Sequence, residues 1–86
     1  MPDYRILIAT SAAREYEGLP EFIRRRARDI IDGLAKVPRP RGTAKLKGSN
    51  DLFRIRIGDY RVIYRVSDRE RLVDVIHIRH RRDAYD

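Results

Sequence analysis

The chain has 86 residues, of which 42% are hydrophobic and none is cysteine, and its net charge is +7 at neutral pH. This length supports one domain with a single core, and the absence of thiols excludes disulfides, thiolate catalysis and cysteine-based zinc sites. No apolar run is long enough to cross a membrane, and the first residues lack the features of a signal peptide. We therefore expect a single cytoplasmic domain over residues 1–86.

The first half of the chain predicts a strand followed by two helices. Residues 4–9 are rich in β-forming side chains and predict the first strand. Thr10 or Ser11 is the expected N-cap of a short helix that ends at Gly18. Pro20 suits the first turn of a second helix, because the apolar residues after it recur at helical spacing. These apolar residues are Phe22, Ile23, Ala27, Ile30, Ile31 and Leu34.

The second half predicts a loop and three strands. Residues 36–51 contain two prolines and two glycines without periodicity, which predicts a loop. Residues 52–66 predict a hairpin, and residues 72–79 a last strand whose orientation is ambiguous, because Asp74 and His77 would lie on opposite faces. The order β-α-α-β-β-β predicts an α+β fold, with two helices on one face of a mostly antiparallel four-stranded sheet.

The hairpin is the most informative segment. Gly58 and Asp59 suit a two-residue type II′ turn, which would place Arg56 directly opposite Arg61. The same register makes one face of the hairpin apolar and leaves the arginines on the other. Like charges opposite each other destabilise a sheet, so the pair indicates a site for a polyanion. The other predicted pairs are Ile57 with Tyr60, Ile55 with Val62, Arg54 with Ile63 and Phe53 with Tyr64.

The positive charge is concentrated around this hairpin. Residues 36–65 contain nine lysines and arginines and two acids, so this segment alone carries the whole net charge of +7. One electropositive surface is therefore expected, with an acidic partner such as a nucleic acid or an acidic protein.

Arginines match phosphate chemistry but do not complete a phosphodiester reaction. Their planar guanidiniums bind two phosphate oxygens at once, which suits Arg54, Arg56, Arg61 and Arg65 to a nucleic-acid backbone. Arginine stays protonated at neutral pH, so another group must transfer protons. The candidates are His77, His80, Lys45, Lys47 and Tyr85.

His80 is the preferred proton-transfer residue at this stage. Histidine titrates near neutral pH, and the neighbouring Arg79, Arg81 and Arg82 favour the neutral ring. A structural or solvated histidine is the alternative. Tyr85 either stacks on an exposed base or docks the end of the chain. No residues have metal-ligand spacing, so we expect neither a metal nor a cofactor.

Three segments, residues 44–48, 52–64 and 78–85, together resemble the RelE-type toxins of the RelE/ParE superfamily. The resemblance implies a type II toxin held inactive by a cognate, acidic antitoxin that wraps it. It also implies a metal-independent endoribonuclease that cuts mRNA on the ribosome, by attack of the RNA 2′-hydroxyl on the adjacent phosphate. The ParE-like branch shares the fold without this activity, so a ParE-like inhibitor of DNA gyrase, or a catalytically weakened homologue, is the alternative.

The resemblance also implies roles for individual residues. Arg61 matches the arginine that stabilises the transition-state phosphate, and Arg81 matches one that contacts phosphate and assists the leaving group. Tyr85 matches the base-stacking tyrosine. The predicted catalytic set is therefore Arg56, Arg61, His80, Arg81 and Tyr85. The residues predicted to bind RNA or the ribosome are Lys45, Lys47, Arg54, Arg65, Arg79 and Arg82.

One departure from the family pattern concerns proton transfer. Arg54 and Arg56 stand where the best-known RelE toxins have two lysines, one of them linked to activation of the nucleophile. The hairpin also lacks the glutamate that related toxins use. Either His80 supplies the proton transfer, or the ribosome provides part of the chemistry while the toxin aligns the substrate and stabilises charge.

Overall fold

Five strands form one mixed sheet with two helices on one face, in a computed structural model that describes residues 3–82. The elements are β1 Arg5–Ile8, α1 Thr10–Glu17, α2 Glu21–Gly33, β2 Ala44–Lys45, β3 Leu52–Ile57, β4 Tyr60–Ser67 and β5 Leu72–His80. The strand order across the sheet is β1-β5-β4-β3-β2. The predicted α+β class is confirmed. None of the helices in the described part of the chain could span a lipid bilayer.

The prediction of four strands was wrong by one short strand. Ala44 pairs with Arg54 and Lys45 with Phe53, so β2 lies inside the segment predicted as a loop. Two residues are too few to show a period of two, which is why the pattern gave no signal. β1 pairs with β5 in parallel, and the other three pairings are antiparallel.

The predicted hairpin register is confirmed at every pair, including Arg56 opposite Arg61. Gly58 has φ +58°, and Asp59 is not among the residues with positive φ. This combination is the one that a type II′ turn requires. The apolar face of the hairpin packs under the helices, and neither α1 nor α2 covers the arginine face.

The core lies between the helices and the apolar face of the sheet. It contains Ala12, Leu19, Ala27, Ile31, Leu34, Phe53, Ile55, Ile57, Val62, Tyr64, Val66, Val73, Val75 and Ile78. Phe22, one of the apolar residues at helical spacing in α2, lies outside the core and is 68% exposed. Its ring lies 5.8 Å from the Arg26 guanidinium carbon.

The first helix begins without the predicted side-chain cap. Its N-cap residue is Ala9, and neither hydroxyl residue caps the helix. Ser11 Oγ instead donates a hydrogen bond to the carbonyl of Ile76, 2.8 Å away on β5. Gly18 ends the helix as predicted.

A bulge in β5 removes the predicted ambiguity of this strand. Ile63 pairs with His77 while the next residue, Tyr64, pairs with Val75, so Ile76 is the extra residue. Because a bulge shifts the alternation by one position, Asp74 and His77 lie on the same, helix-free face.

The loop before β2 is fixed to the sheet by a buried tyrosine. Tyr64 is fully buried, and its hydroxyl donates to the carbonyl of Pro38 at 2.8 Å and lies 3.2 Å from Thr43 Oγ1. Burial raises the pKa of Tyr64, so its hydroxyl stays a proton donor at neutral pH. Arg39 in the same loop donates to Asp68 at 2.7 Å.

Candidate functional site

Three arginines form a row across the helix-free face of the sheet. Arg56 on β3 pairs with Arg61 on β4, and Arg61 pairs with Arg79 on β5. Directly opposed residues of a sheet have their side chains on the same face. The repulsion of three neighbouring guanidiniums opposes folding, so this arrangement favours an anionic ligand over a structural role.

A small cavity lies at the turn end of this row. Its volume is about 120 Å³, and it is lined by Arg56, Gly58, Asp59, Tyr60, Arg61 and Arg81. Arg81 follows β5 and is held at the hairpin turn, because its backbone N–H donates to the carbonyl of Asp59 at 2.7 Å. The structure therefore brings three of the predicted catalytic residues, Arg56, Arg61 and Arg81, to one cavity.

The charge balance of the cavity suits an anion. Arg81 Nε lies 4.0 Å from Asp59 Oδ1, and both side chains are about two-thirds exposed. A pair this exposed contributes little to stability and is weakened by salt. Among residues 3–82, the lining contains three arginines and one carboxylate. Forked guanidinium donors at this density can bind one phosphate through several of its oxygens.

The third arginine of the row is fixed by a glutamate from α1. Arg79 Nε donates to Glu15 Oε2 at 2.9 Å, and Glu15 Oε1 accepts from the backbone N–H of Ile78 at 2.9 Å. Burial alone would raise the pKa of the Glu15 carboxyl. The hydrogen bonds from Ile78, Arg79 and His77 outweigh that effect and lower the pKa below its ordinary value.

Glu15 was missed by the sequence analysis. Its spacing from Ser11 puts both side chains on one face of α1, which is visible in the sequence. The contacts of these side chains with β5 could not be seen in the sequence, because they join residues more than sixty positions apart. β1 pairs only with residues 72–75 of β5, so these two side chains bond the strand edge beyond the end of β1.

His80 lies apart from the arginine cavity. It pairs with Tyr60, whose side chain packs against the core, so the pleat of β5 turns His80 to the opposite face from Arg79. Its Nδ1 accepts a hydrogen bond from the N–H of Arg82 at 3.2 Å, and its ring stands edge-on to Tyr60 at 5.2 Å. The sequence analysis placed His80 among arginines because they are its neighbours along the chain, which does not fix the face on which its side chain lies. Tyr85 lies outside the described residues.

Of the remaining predicted RNA-binding residues, Lys45, Lys47 and Arg54 lie toward the β2–β3 edge of the sheet. Arg54 and Arg56 line a groove of about 630 Å³ together with the loop residue Arg41. Lys45 and Lys47 are exposed on β2 and in the loop after it. Arg65 is paired with Asp51 at 3.2 Å. Arg82 is exposed just after β5.

Comparison with known proteins finds similarity to type II toxins. Residues 6–85 match the family model of the ParE toxin of the type II toxin–antitoxin system parDE. Toxin RelE from Mycobacterium tuberculosis is 34% identical over 83 residues, which cover 95% of this chain and 86% of that protein.

Solved structures give the same result. The RelE–RelB complex from Pyrococcus horikoshii OT3 contains a chain that is 33% identical with a TM-score of 0.83, covering 95% of this chain and 99% of that one. A chain of the RelBE2 complex from Mycobacterium tuberculosis is 29% identical with a TM-score of 0.79, covering 96% and 97%. The fold and the matched residues define the class as type II toxins. The chain belongs to the ParE toxin family, within the RelE/ParE superfamily.

Proposed function

We propose that this protein is a ribosome-dependent mRNA endoribonuclease. The observation that carries the proposal is the cavity where Arg56, Arg61 and Arg81 meet. In the proposed reaction the 2′-hydroxyl of the RNA attacks the adjacent phosphate, giving a 2′,3′-cyclic phosphate and a 5′-hydroxyl. The arginines stabilise the charge that grows on the non-bridging oxygens of the phosphate, which is the kind of contact that contributes most in such sites.

The ribosome has a defined part in this proposal. The groove beside Arg54 and the exposed Lys45 and Lys47 extend the basic surface away from the cavity. Such a surface suits ribosomal RNA, because phosphate contacts position a protein without reading sequence. An mRNA held by the ribosome reaches the cavity already aligned, so cleavage of free RNA is expected to be weak. A ribosome-bound substrate also implies a cytoplasmic protein.

The proposed protein partner is an acidic cognate antitoxin, forming a toxin–antitoxin complex. Support comes from the solved relatives, which are chains of the RelE–RelB complex and of the RelBE2 toxin–antitoxin complex. The net charge of +7 favours an acidic partner. A structure of the complex would establish whether the antitoxin covers Arg56 and Arg61 or acts by displacing the end of the chain.

The test of the proposed function is to map 5′ ends on mRNA in a cell-free translation extract. The wild-type protein is expected to create new 5′-hydroxyl ends within ribosome-bound codons. The matched control is the double variant Arg56→Ala with Arg61→Ala, which is expected to create none. An absence of new ends with the wild-type protein, while translation continues normally, would contradict the proposal.

A second candidate function is inhibition of a protein target such as DNA gyrase, without RNA cleavage. Two observations favour it: the matching family model is that of ParE toxins, and the hairpin has arginines where a lysine base is expected. A supercoiling assay with purified gyrase separates the two candidates. Inhibition of supercoiling without new mRNA ends would support this one.

A further inference from the structure

The Glu15 carboxylate contacts three successive residues of β5. It accepts hydrogen bonds from the N–H of Ile78 and from Arg79, and its Oε1 lies 3.4 Å from Nδ1 of His77. The His77 side chain is 28% exposed and that of Glu15 is 27% exposed, so both are mostly shielded but reachable. A carboxylate from α1 therefore reaches Nδ1 of His77 at the edge of β5.

The bulge places His77 on the same face as the arginine row. His77 pairs with Ile63 and Arg79 with Arg61, so the two β5 residues are neighbours on the helix-free face. Residues two apart along a strand are separated by about 7 Å. An imidazole and two guanidiniums at this spacing can act on one phosphodiester group and its ribose.

A carboxylate at Nδ1 gives the imidazole a defined chemical role. A hydrogen bond from Nδ1–H to a carboxylate fixes the tautomer, so that Nε2 has the free lone pair. Nε2 of His77 forms no hydrogen bond with any described residue. The arginine row lacks such an acceptor, because guanidiniums remain protonated at neutral pH.

We propose that His77, positioned by Glu15, is the general base of the RNA cleavage described above, an inference that rests on the proposed function. His77 Nε2 takes the proton from the 2′-hydroxyl as that oxygen bonds to phosphorus. The bond from phosphorus to the 5′ oxygen breaks, and the 5′ oxygen takes a proton from water. The imidazolium returns its proton to solvent, so the step needs no further reactant.

The pH dependence of the step involves several charged groups that face His77. These groups are Glu15 from α1, Asp74 and Arg79 on β5, Arg61 and Arg65 on β4, and Arg54 on β3. A base that must be neutral to accept a proton predicts that the cleavage rate falls on the acidic side.

The experiment is single-turnover cleavage of ribosome-bound mRNA, measured from about pH 5 to pH 8, with His77→Gln and Glu15→Gln. His77→Gln is expected to lower the rate about 10²- to 10⁴-fold and to remove the acidic fall. Glu15→Gln, which loses only the positioning charge, is expected to lower the rate less and to keep that fall. Added imidazole is expected to restore part of the activity of His77→Ala, which a purely structural role would not allow.

Matched variants complete the test. Ser11→Ala removes the other hydrogen bond between α1 and β5, and it is expected to cleave at the wild-type rate. His77→Asn replaces His77→Gln if the latter does not fold. A wild-type rate and pH profile for the His77 variants, or a loss confined to His80→Gln, would overturn the proposal while leaving the proposed function intact. A wild-type protein that does not cleave overturns the proposed function itself.

Discussion

Arg79 donates a hydrogen bond to Glu15 at 2.9 Å. The first helix therefore fixes the arginine at the β5 end of the row of three. This contact offsets one positive charge at the end of the row. Arg56 and Arg61 face each other across the hairpin beside it. The helix therefore has two roles, because it covers the core and also sets the charge of the opposite face.

Glu15→Gln is expected to destabilise the fold in a pH-dependent way. The native pKa of Glu15 lies below its ordinary value, so its stabilising effect is complete above about pH 4.5. That effect is lost as the pH falls through the lowered native pKa. We expect a loss of about 1–2 kcal/mol at neutral pH, measured by urea unfolding, and a smaller loss as the pH falls below the ordinary pKa of the carboxyl. The control is Glu17→Gln, at the exposed last residue of the same helix. An equal loss of stability in both variants would refute the stabilising role of the Glu15 carboxylate.

Arg61→Ala and Arg81→Ala are each expected to weaken mRNA cleavage. Each variant removes a preorganised cation from the cavity, and such contacts contribute on the order of 2–4 kcal/mol to the transition state. This corresponds to about a 30- to 1,000-fold loss of rate in a cell-free translation extract. Arg69→Ala, at an exposed position in the turn after β4, is the matched control. Undiminished inhibition of translation by both cavity variants would count against the site.

Tyr64→Phe is expected to loosen the loop before β2. The variant removes the hydrogen bond to Pro38 at 2.8 Å and leaves a half-buried carbonyl without its donor. The expected cost is about 1–2 kcal/mol in the free energy of unfolding. Tyr60→Phe serves as the control, because the Tyr60 hydroxyl makes no hydrogen bond with the described residues. Equal stability of Tyr64→Phe and the wild type would show that the loop is held by other contacts.

Gly58→Ala is expected to destabilise the hairpin through backbone strain alone. A Cβ atom at this position would lie 3.7 Å from Ile23 Cδ1, which is an ordinary contact, but φ is +58°. We expect a cost of about 1 kcal/mol in thermal or urea unfolding. Gly33→Ala is the control, since a Cβ atom there meets nothing within 4 Å and φ is not positive. A neutral Gly58→Ala would mean that the turn relaxes to another type.

The hairpin could be predicted because its determinants are local. Gly58 and the alternation on both sides of it specify the turn and the register within one short segment, and every predicted pair is present. The same register predicted that Arg56 and Arg61 are neighbours. Arg81 could be added only through the family resemblance, since its hydrogen bond to Asp59 joins a separate part of the chain.

The rest of the site depends on contacts between distant segments. Glu15 reaches Ile78 across most of the chain, and no local pattern encodes that distance. His80 was favoured because of its arginine neighbours in sequence, whereas the pleat turns consecutive residues to opposite faces. The face of His77 was ambiguous in the sequence because the side chains of the last strand were assumed to alternate strictly between the two faces.

The extra residue at Ile76 changes which residues of β5 lie on each face of the sheet. Before it, the side chains of Val73 and Val75 lie in the core. After it, those of His77 and Arg79 lie on the helix-free face. Under strict alternation, His77 and Arg79 would lie on the same side as Val73 and Val75. The exposure of the candidate base therefore depends on the bulge at a single position, and regular pairing of the same residues would turn the imidazole toward the core.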